Sequence, residues 1–146
     1  MAFKRSMMLM MVPAALFSLA ISATAQREER FRVRLAPVPV DATMRGTVTG
    51  LGSASAVLAG RKLSITGSFD GLQAPATVAR LHLGAMTGVR GSAVFDLTVS
   101  KATGGTVTGS VDLTAEQLEH LRRGRFYIQI HSEKAPDGNL WGWLLR

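Results

Sequence analysis

The feature that most constrains this chain is a period of two. From Phe31 to Leu35 apolar residues alternate with Arg32 and Arg34. Leu63, Ile65 and Phe69 alternate with Lys62, Ser64, Thr66 and Ser68, and Ala93, Phe95, Leu97 and Val99 alternate with Ser92, Asp96, Thr98 and Ser100. Successive side chains of a strand point to opposite faces, so each segment presents one dry face and one wet face. Gly46 to Ala59 is expected to be a strand bent by Gly50 and Gly52, carrying Thr47, Val48, Thr49, Val57 and Leu58. Val107, Val111 and Leu113 resume the alternation after a Gly104-Gly105 turn. About eight short strands at this spacing predict an all-β, immunoglobulin-like antiparallel sandwich or barrel.

One segment has a different period. Thr114 can cap a helix with Gln117 returning the bond three residues later, Leu118 and Leu121 form an apolar edge, and Gly124 can end the helix in a left-handed conformation. This is read as one short crossover helix. His120, among charged neighbours, is expected to be solvated. Beyond it, Arg125 to Leu145 reads as two alternating strands joined by a Pro136-Asp137-Gly138 turn, with His131 ending the first and Trp141 and Trp143 on the second.

The N-terminus has another grammar. Lys4 and Arg5 precede an apolar run from Met7 to about Ile21, then Ala23-Thr24-Ala25, the layout of a secretory signal peptide cleaved after Ala25. The run falls short of the roughly 20 residues that span a bilayer and Pro13 interrupts it, so no membrane span is expected after cleavage. The chain has no Cys, which removes lipoprotein anchoring, thiol chemistry and disulfides. Residues 1–25 are therefore assigned to the signal and 26–146 to one exported domain, periplasmic or secreted. Removing Lys4 and Arg5 from the 17 Lys and Arg leaves 15 against 10 Asp and Glu, a net charge of +5. These cations are scattered on strand faces and at the helix end, where they meet the helix dipole, so a solvated basic surface is expected and no nucleic-acid partner. Attraction to anionic envelope polymers stays open.

The helix from Leu113-Thr114 to Leu121-Arg122-Arg123-Gly124, the strand Phe126-Tyr127-Ile128-Gln129-Ile130-His131-Ser132 and the segment Pro136-Asp137-Gly138-Asn139-Leu140-Trp141-Gly142 together resemble the CHRD domain, named for chordin and found in exported bacterial proteins. Gly71-Leu72 and Ala79-Arg80-Leu81-His82 match an upstream motif of that family. The resemblance covers roughly residues 31 to 145. It implies an immunoglobulin-like β domain whose molecular function is mostly undetermined. Four positions depart from the family pattern: Arg80 replaces the first His of a pair, Asn139 a Glu, Trp141 an Arg and Trp143 a polar residue.

Strand alternation places Ala79, Leu81 and Leu83, and Phe126, Ile128 and Ile130, toward the core. His82 and His131 then point away from it. Pairing across the last hairpin would bring the tryptophans beside Gln129 and His131, so Arg80, His82, Gln129, His131, Trp141 and Trp143 could share one surface. That surface has three readings. It is structural, with tryptophans closing one end of the sandwich; or it is a binding or self-association patch for a protein or envelope polymer, since Trp and Arg are enriched at interface centres; or it is a metal or haem site with His82 and His131 as candidate ligands. The strands Ala-x-Leu-His and Ile-x-Ile-His resemble the histidine strands of copper-zinc superoxide dismutase, and imidazole suits copper, but Arg80 opposes a cation. Gly50-Leu51-Gly52 lacks the context of a phosphate loop, and there is no nucleophile elbow, zinc-protease helix or paired carboxylates. Asp96 and Asp112 are read as solubilising. The expectation is a non-catalytic binding or assembly module without a cofactor, the alternative being a copper or haem protein with a dismutase-like fold.

Overall fold

The structure is a computed structural model and describes residues 27–146. The expected signal peptide lies outside the described residues. Eight strands run β1 (Glu29–Pro37), β2 (Leu51–Ala59), β3 (Lys62–Asp70), β4 (Ala76–Gly84), β5 (Gly91–Val99), β6 (Gly105–Asp112), β7 (Phe126–Ser132) and β8 (Ala135–Trp143), with helix α1 (Ala115–Arg122) between β6 and β7. They form a closed barrel in the order β1-β2-β3-β6-β5-β4-β7-β8, every neighbouring pair antiparallel. Two seams are thin. β1 meets β8 only at Ala36↔Trp141 and Pro37↔Leu140, and β5 meets β6 only at Thr98↔Thr108 and Val99↔Val107. Broad pairing between thin seams makes two sheets joined at their margins, which is why the alternation fits a sandwich and a barrel equally. No helix among the described residues is long and apolar enough to cross a membrane.

Alternation fills the interior as expected. Phe31, Val33 and Leu35 of β1, Ala56 and Leu58 of β2, Leu63, Ile65 and Phe69 of β3, Leu81 of β4 and Ile128 and Ile130 of β7 are all buried in one core. Arg32 and Arg34 stand in solvent on the other face of β1. Gly67 serves close packing between β2 and β3, since a Cβ there would come within 2.5 Å of the Ala54 Cβ.

The helix forms as its residues dictate. Gln117 N–H donates to Thr114 Oγ1 at 3.1 Å, Thr114 N–H donates to Gln117 Oε1 at 2.9 Å, and Leu121 is buried. Gly124 takes φ +69°, the left-handed stop. His120 differs from expectation. It is half-buried, with its Nδ1 accepting from Arg125 Nη1 at 2.7 Å and its Nε2 3.5 Å from Glu116.

Two further expectations are corrected. The strand expected from Gly46 begins only at Leu51, because the residues before it form a turn in which Thr47 and Val48 N–H both donate to the Met44 carbonyl, at 3.0 and 3.2 Å, and Gly50 sits at φ +109°. The β7–β8 turn is Glu133-Lys134, and Pro136, Asp137 and Gly138 lie inside β8. Ser132 staples this short turn, accepting from Ala135 N–H at 3.2 Å and donating to Asn139 Oδ1 at 2.8 Å. A register shift between Ile130 and Ser132 lets the strand accommodate Pro136, which has no N–H for the ladder.

Candidate functional site

The outer face of β4, β7 and β8 carries the polar residues of the sequence reading. His82 pairs with Tyr127 and Arg80 with Gln129 across β4–β7; Gln129 pairs with Trp141 and Tyr127 with Trp143 across β7–β8. Arg80, His82, Gln129, His131, Trp141 and Trp143 thus share one face of the sheet. Trp143 stands beside Tyr127 and not beside His131.

This face is largely covered. His82 and His131 are each 9% exposed and Gln129 3%, while Arg80, Trp141 and Trp143 are half-buried. The segment after β1 crosses over β8, packing Val38 and Val48 with Ala135 into a second small core against which Val40, Met44 and Trp141 lie. Asn139, fully buried, fixes this cover by donating from Nδ2 to the Thr49 carbonyl at 2.7 Å, and Val38 N–H donates to the Asn139 carbonyl at 3.0 Å. Trp141 is therefore a packing residue.

Beneath the cover runs a layer of aromatic rings. Tyr127 stacks on His82 with centroids 4.9 Å apart and meets Trp143 at 4.4 Å and Trp141 at 5.8 Å. The Arg90 guanidinium lies 5.6 Å from the Trp141 ring centre. Tyr127 Oη accepts from Gly91 N–H at 3.0 Å and donates to the Gly91 carbonyl at 3.1 Å. His82 Nδ1 donates to the same carbonyl at 3.0 Å. Two side chains thus clamp the first residue of β5, where a Cβ would collide with the Leu83 carbonyl. His131 Nδ1 donates to the Pro136 carbonyl at 2.8 Å, and Gln129 Nε2 donates to the Asp137 carbonyl at 3.1 Å. The polar groups freed by the irregular end of β8 are satisfied in this way.

Because each imidazole faces a carbonyl through Nδ1, that nitrogen carries the proton and Nε2 offers a lone pair. His131 Nε2 has only the Gln129 amide, at 3.4 Å. His82 Nε2 is buried and has no hydrogen-bond partner among the described residues. Burial pushes the His82 pKa below its usual value of 6.5, against the opposing Gly91 bond, and the nearby His131, Arg80 and Arg90 push the same way as burial. Arg80 is engaged by Asp96 at 3.1 Å, so Asp96 is an ion-pair partner and not merely a solubilising residue. Among the described residues no group of three or more His, Cys, Asp and Glu is placed to hold a metal ion.

Trp143 has a different setting from Trp141. It lines a groove of about 360 Å³ with Arg32, Arg34, Leu145 and Arg146. Glu29 pairs with Arg146 and, at 2.8 Å, with Arg122, whose hydrogen bond is the main cause of a lowered Glu29 pKa. Arg32 and Arg34 form no ion pair among the described residues.

Residues 31–144 match the family model of the CHRD domain. The chain belongs to the CHRD family. No curated protein and no solved structure matches it. In this CHRD domain Asn139, at one of the departing positions, is a wholly buried clasp, and Trp141 packs under the cover. Sequence reasoning missed Tyr127, Gly91 and Asn139. Tyr127 was accessible to it, because it shares a strand face with Gln129 and His131 and its hydroxyl needs a partner if buried. Gly91 and Asn139 act through backbone neighbours that no local pattern reveals.

Proposed function

We propose that this CHRD protein is an exported, non-catalytic binding module whose contact surface is centred on Trp143 and flanked by Arg32 and Arg34, its partner being an anionic envelope polymer. The observation that carries this reading is the groove itself: a half-exposed indole beside two guanidinium groups that have no carboxylate partner among the described residues. An aromatic platform next to unpaired cations suits an anionic chain, whose apolar ring faces stack while its charges meet arginine. The imidazoles and Gln129 of the outer face are committed to backbone carbonyls, which supports a structural role for that layer. Export rests on the signal-like N-terminus. The test is titration of the protein with polyuronate at low and moderate salt, followed by tryptophan fluorescence. Expected are saturable quenching, loss of the signal in Trp143→Gln, and weakening in Arg32→Gln/Arg34→Gln and with added salt. Quenching that survives Trp143→Gln, or none in the wild type, overturns the reading.

A further inference from the structure

The Trp143 groove does not end at Leu145. A second concavity of about 210 Å³ adjoins it, shares Leu145 and Arg146 as lining, and reaches the end of α1 at Arg122 and Arg123. Leu145 is 46% exposed and is tied to β1 by reciprocal backbone bonds with Arg32, at 2.7 and 3.1 Å. The Arg146 guanidinium lies 5.7 Å from the Phe31 ring centre and pairs with Glu29. Together the two concavities are lined by five exposed arginines, Arg32, Arg34, Arg122, Arg123 and Arg146. Like Arg32 and Arg34, Arg123 forms no ion pair among the described residues. Glu29 engages both Arg122 and Arg146, and Glu119 approaches Arg122 at 3.4 Å.

We infer that the two concavities form one binding path for a linear polyanion with a charge on successive units, and that Glu29 is a resident carboxylate the chain displaces from Arg122 and Arg146. The inference rests on the polymer reading of the Trp143 groove and extends it: the partner is recognised as a chain and not as a single charged group. Unpaired guanidinium groups stand on both sides of Leu145, so a ligand that meets Arg32 and Arg34 as well as Arg123 has to pass over it. The leucine gives apolar contact between the charges, as Trp143 does at one end. Glu29 shows how a carboxylate seats here, accepting from Arg122 Nε at 3.2 Å and Nη2 at 2.8 Å. Its two partners are exposed, and ion pairs in that setting contribute little, so exchanging Glu29 for a carboxylate of the polymer costs little. The C-terminus of α1 opposes an anion with about half a charge, less than the two cations that end it.

The experiment titrates the wild-type protein at low salt with uronate disaccharide, tetrasaccharide and octasaccharide, read by calorimetry with tryptophan fluorescence alongside. The octasaccharide should bind more than about ten-fold tighter than the disaccharide, because each further contact of a linked chain is made at high effective concentration. Its affinity should also fall more steeply with salt. Arg123→Gln should weaken octasaccharide binding by about two- to five-fold and narrow its advantage over the disaccharide. Glu29→Gln should tighten octasaccharide binding by a similar factor, whereas Glu133→Gln, the same change of charge at the exposed β7–β8 turn, should not. A length advantage of ten-fold or less, an advantage undiminished in Arg123→Gln, or a Glu29→Gln variant no tighter than Glu133→Gln overturns the inference. In those cases saturable quenching of Trp143 by the oligomers still upholds the groove reading. No quenching by any of them overturns both. Because the length series is measured on the wild type, the inference is decided even if a variant does not fold.

Discussion

Replacing Tyr127 by Phe isolates the Gly91 clamp. Tyr127 is 1% exposed, and Phe keeps its ring against His82 and Trp143 while deleting both hydroxyl bonds to Gly91. Each bond contributes about 1 kcal/mol net, and a donor left without its partner costs about 1 to 3 kcal/mol more. The Gly91 carbonyl keeps the His82 bond, so only its N–H is stranded, and Gly91 is half-buried so that water can partly replace the phenol. The expected loss is therefore about 2 to 3 kcal/mol, a sizeable share of the 5 to 15 kcal/mol typical of a domain. Urea unfolding should show a lower midpoint with unchanged slope. A cycle with His82→Gln should be non-additive, because both side chains use one carbonyl. A loss below about 0.5 kcal/mol, the range of ordinary surface changes, would refute the clamp as a structural element.

The two tryptophans should separate in the same assay: Trp141→Ala is expected to cost about 2 to 4 kcal/mol as a packed aromatic, and Trp143→Gln within about 1 kcal/mol. Equal costs would show that the cover does not distinguish them. His82 gives a pH signature. Its pKa is lowered in the folded state, so the unfolded chain binds the proton more readily and stability falls as pH drops below 6.5. Urea midpoints between pH 7 and pH 5 should show this fall, and His82→Gln should flatten it; an unchanged slope in the variant would remove His82 as its cause. Finally, N-terminal sequencing of the exported protein should begin at Gln26, and a membrane-bound chain beginning at Ala2 would contradict the signal assignment.

Alternation and capping were legible because they are local. Leu63, Ile65 and Phe69 fill the core, and Thr114 and Gln117 cap the helix, for reasons contained within a few residues. The site was legible only as a set of positions on one sheet face. Its burial was not, since Val38 and Val48 lie far in sequence from the Trp141 they cover. The last turn was misplaced because Pro-Asp-Gly is strong turn chemistry on its own. Ser132 and Asn139 override it from outside the motif, and a strand with a register shift tolerates proline where a regular ladder would not.

The thin β1–β8 seam bears on how the barrel is assembled. The neighbours β2–β3, β4–β5, β5–β6 and β7–β8 are joined by connections of two to six residues and β1–β2 by the longer covering segment, whereas β1 and β8 are separated by nearly the whole described chain and meet through two register pairs and the Arg32↔Leu145 bridge. Loop closure must be met before such a distant pairing returns any contact, so this step belongs late in folding. The Val38–Val48–Ala135 cluster, lying across the same seam, then acts as the latch that makes closure lasting. Ring closure and the covering of Trp141 are one event, and the outer face of β8 is sheltered only in a chain whose first and last strands have already met.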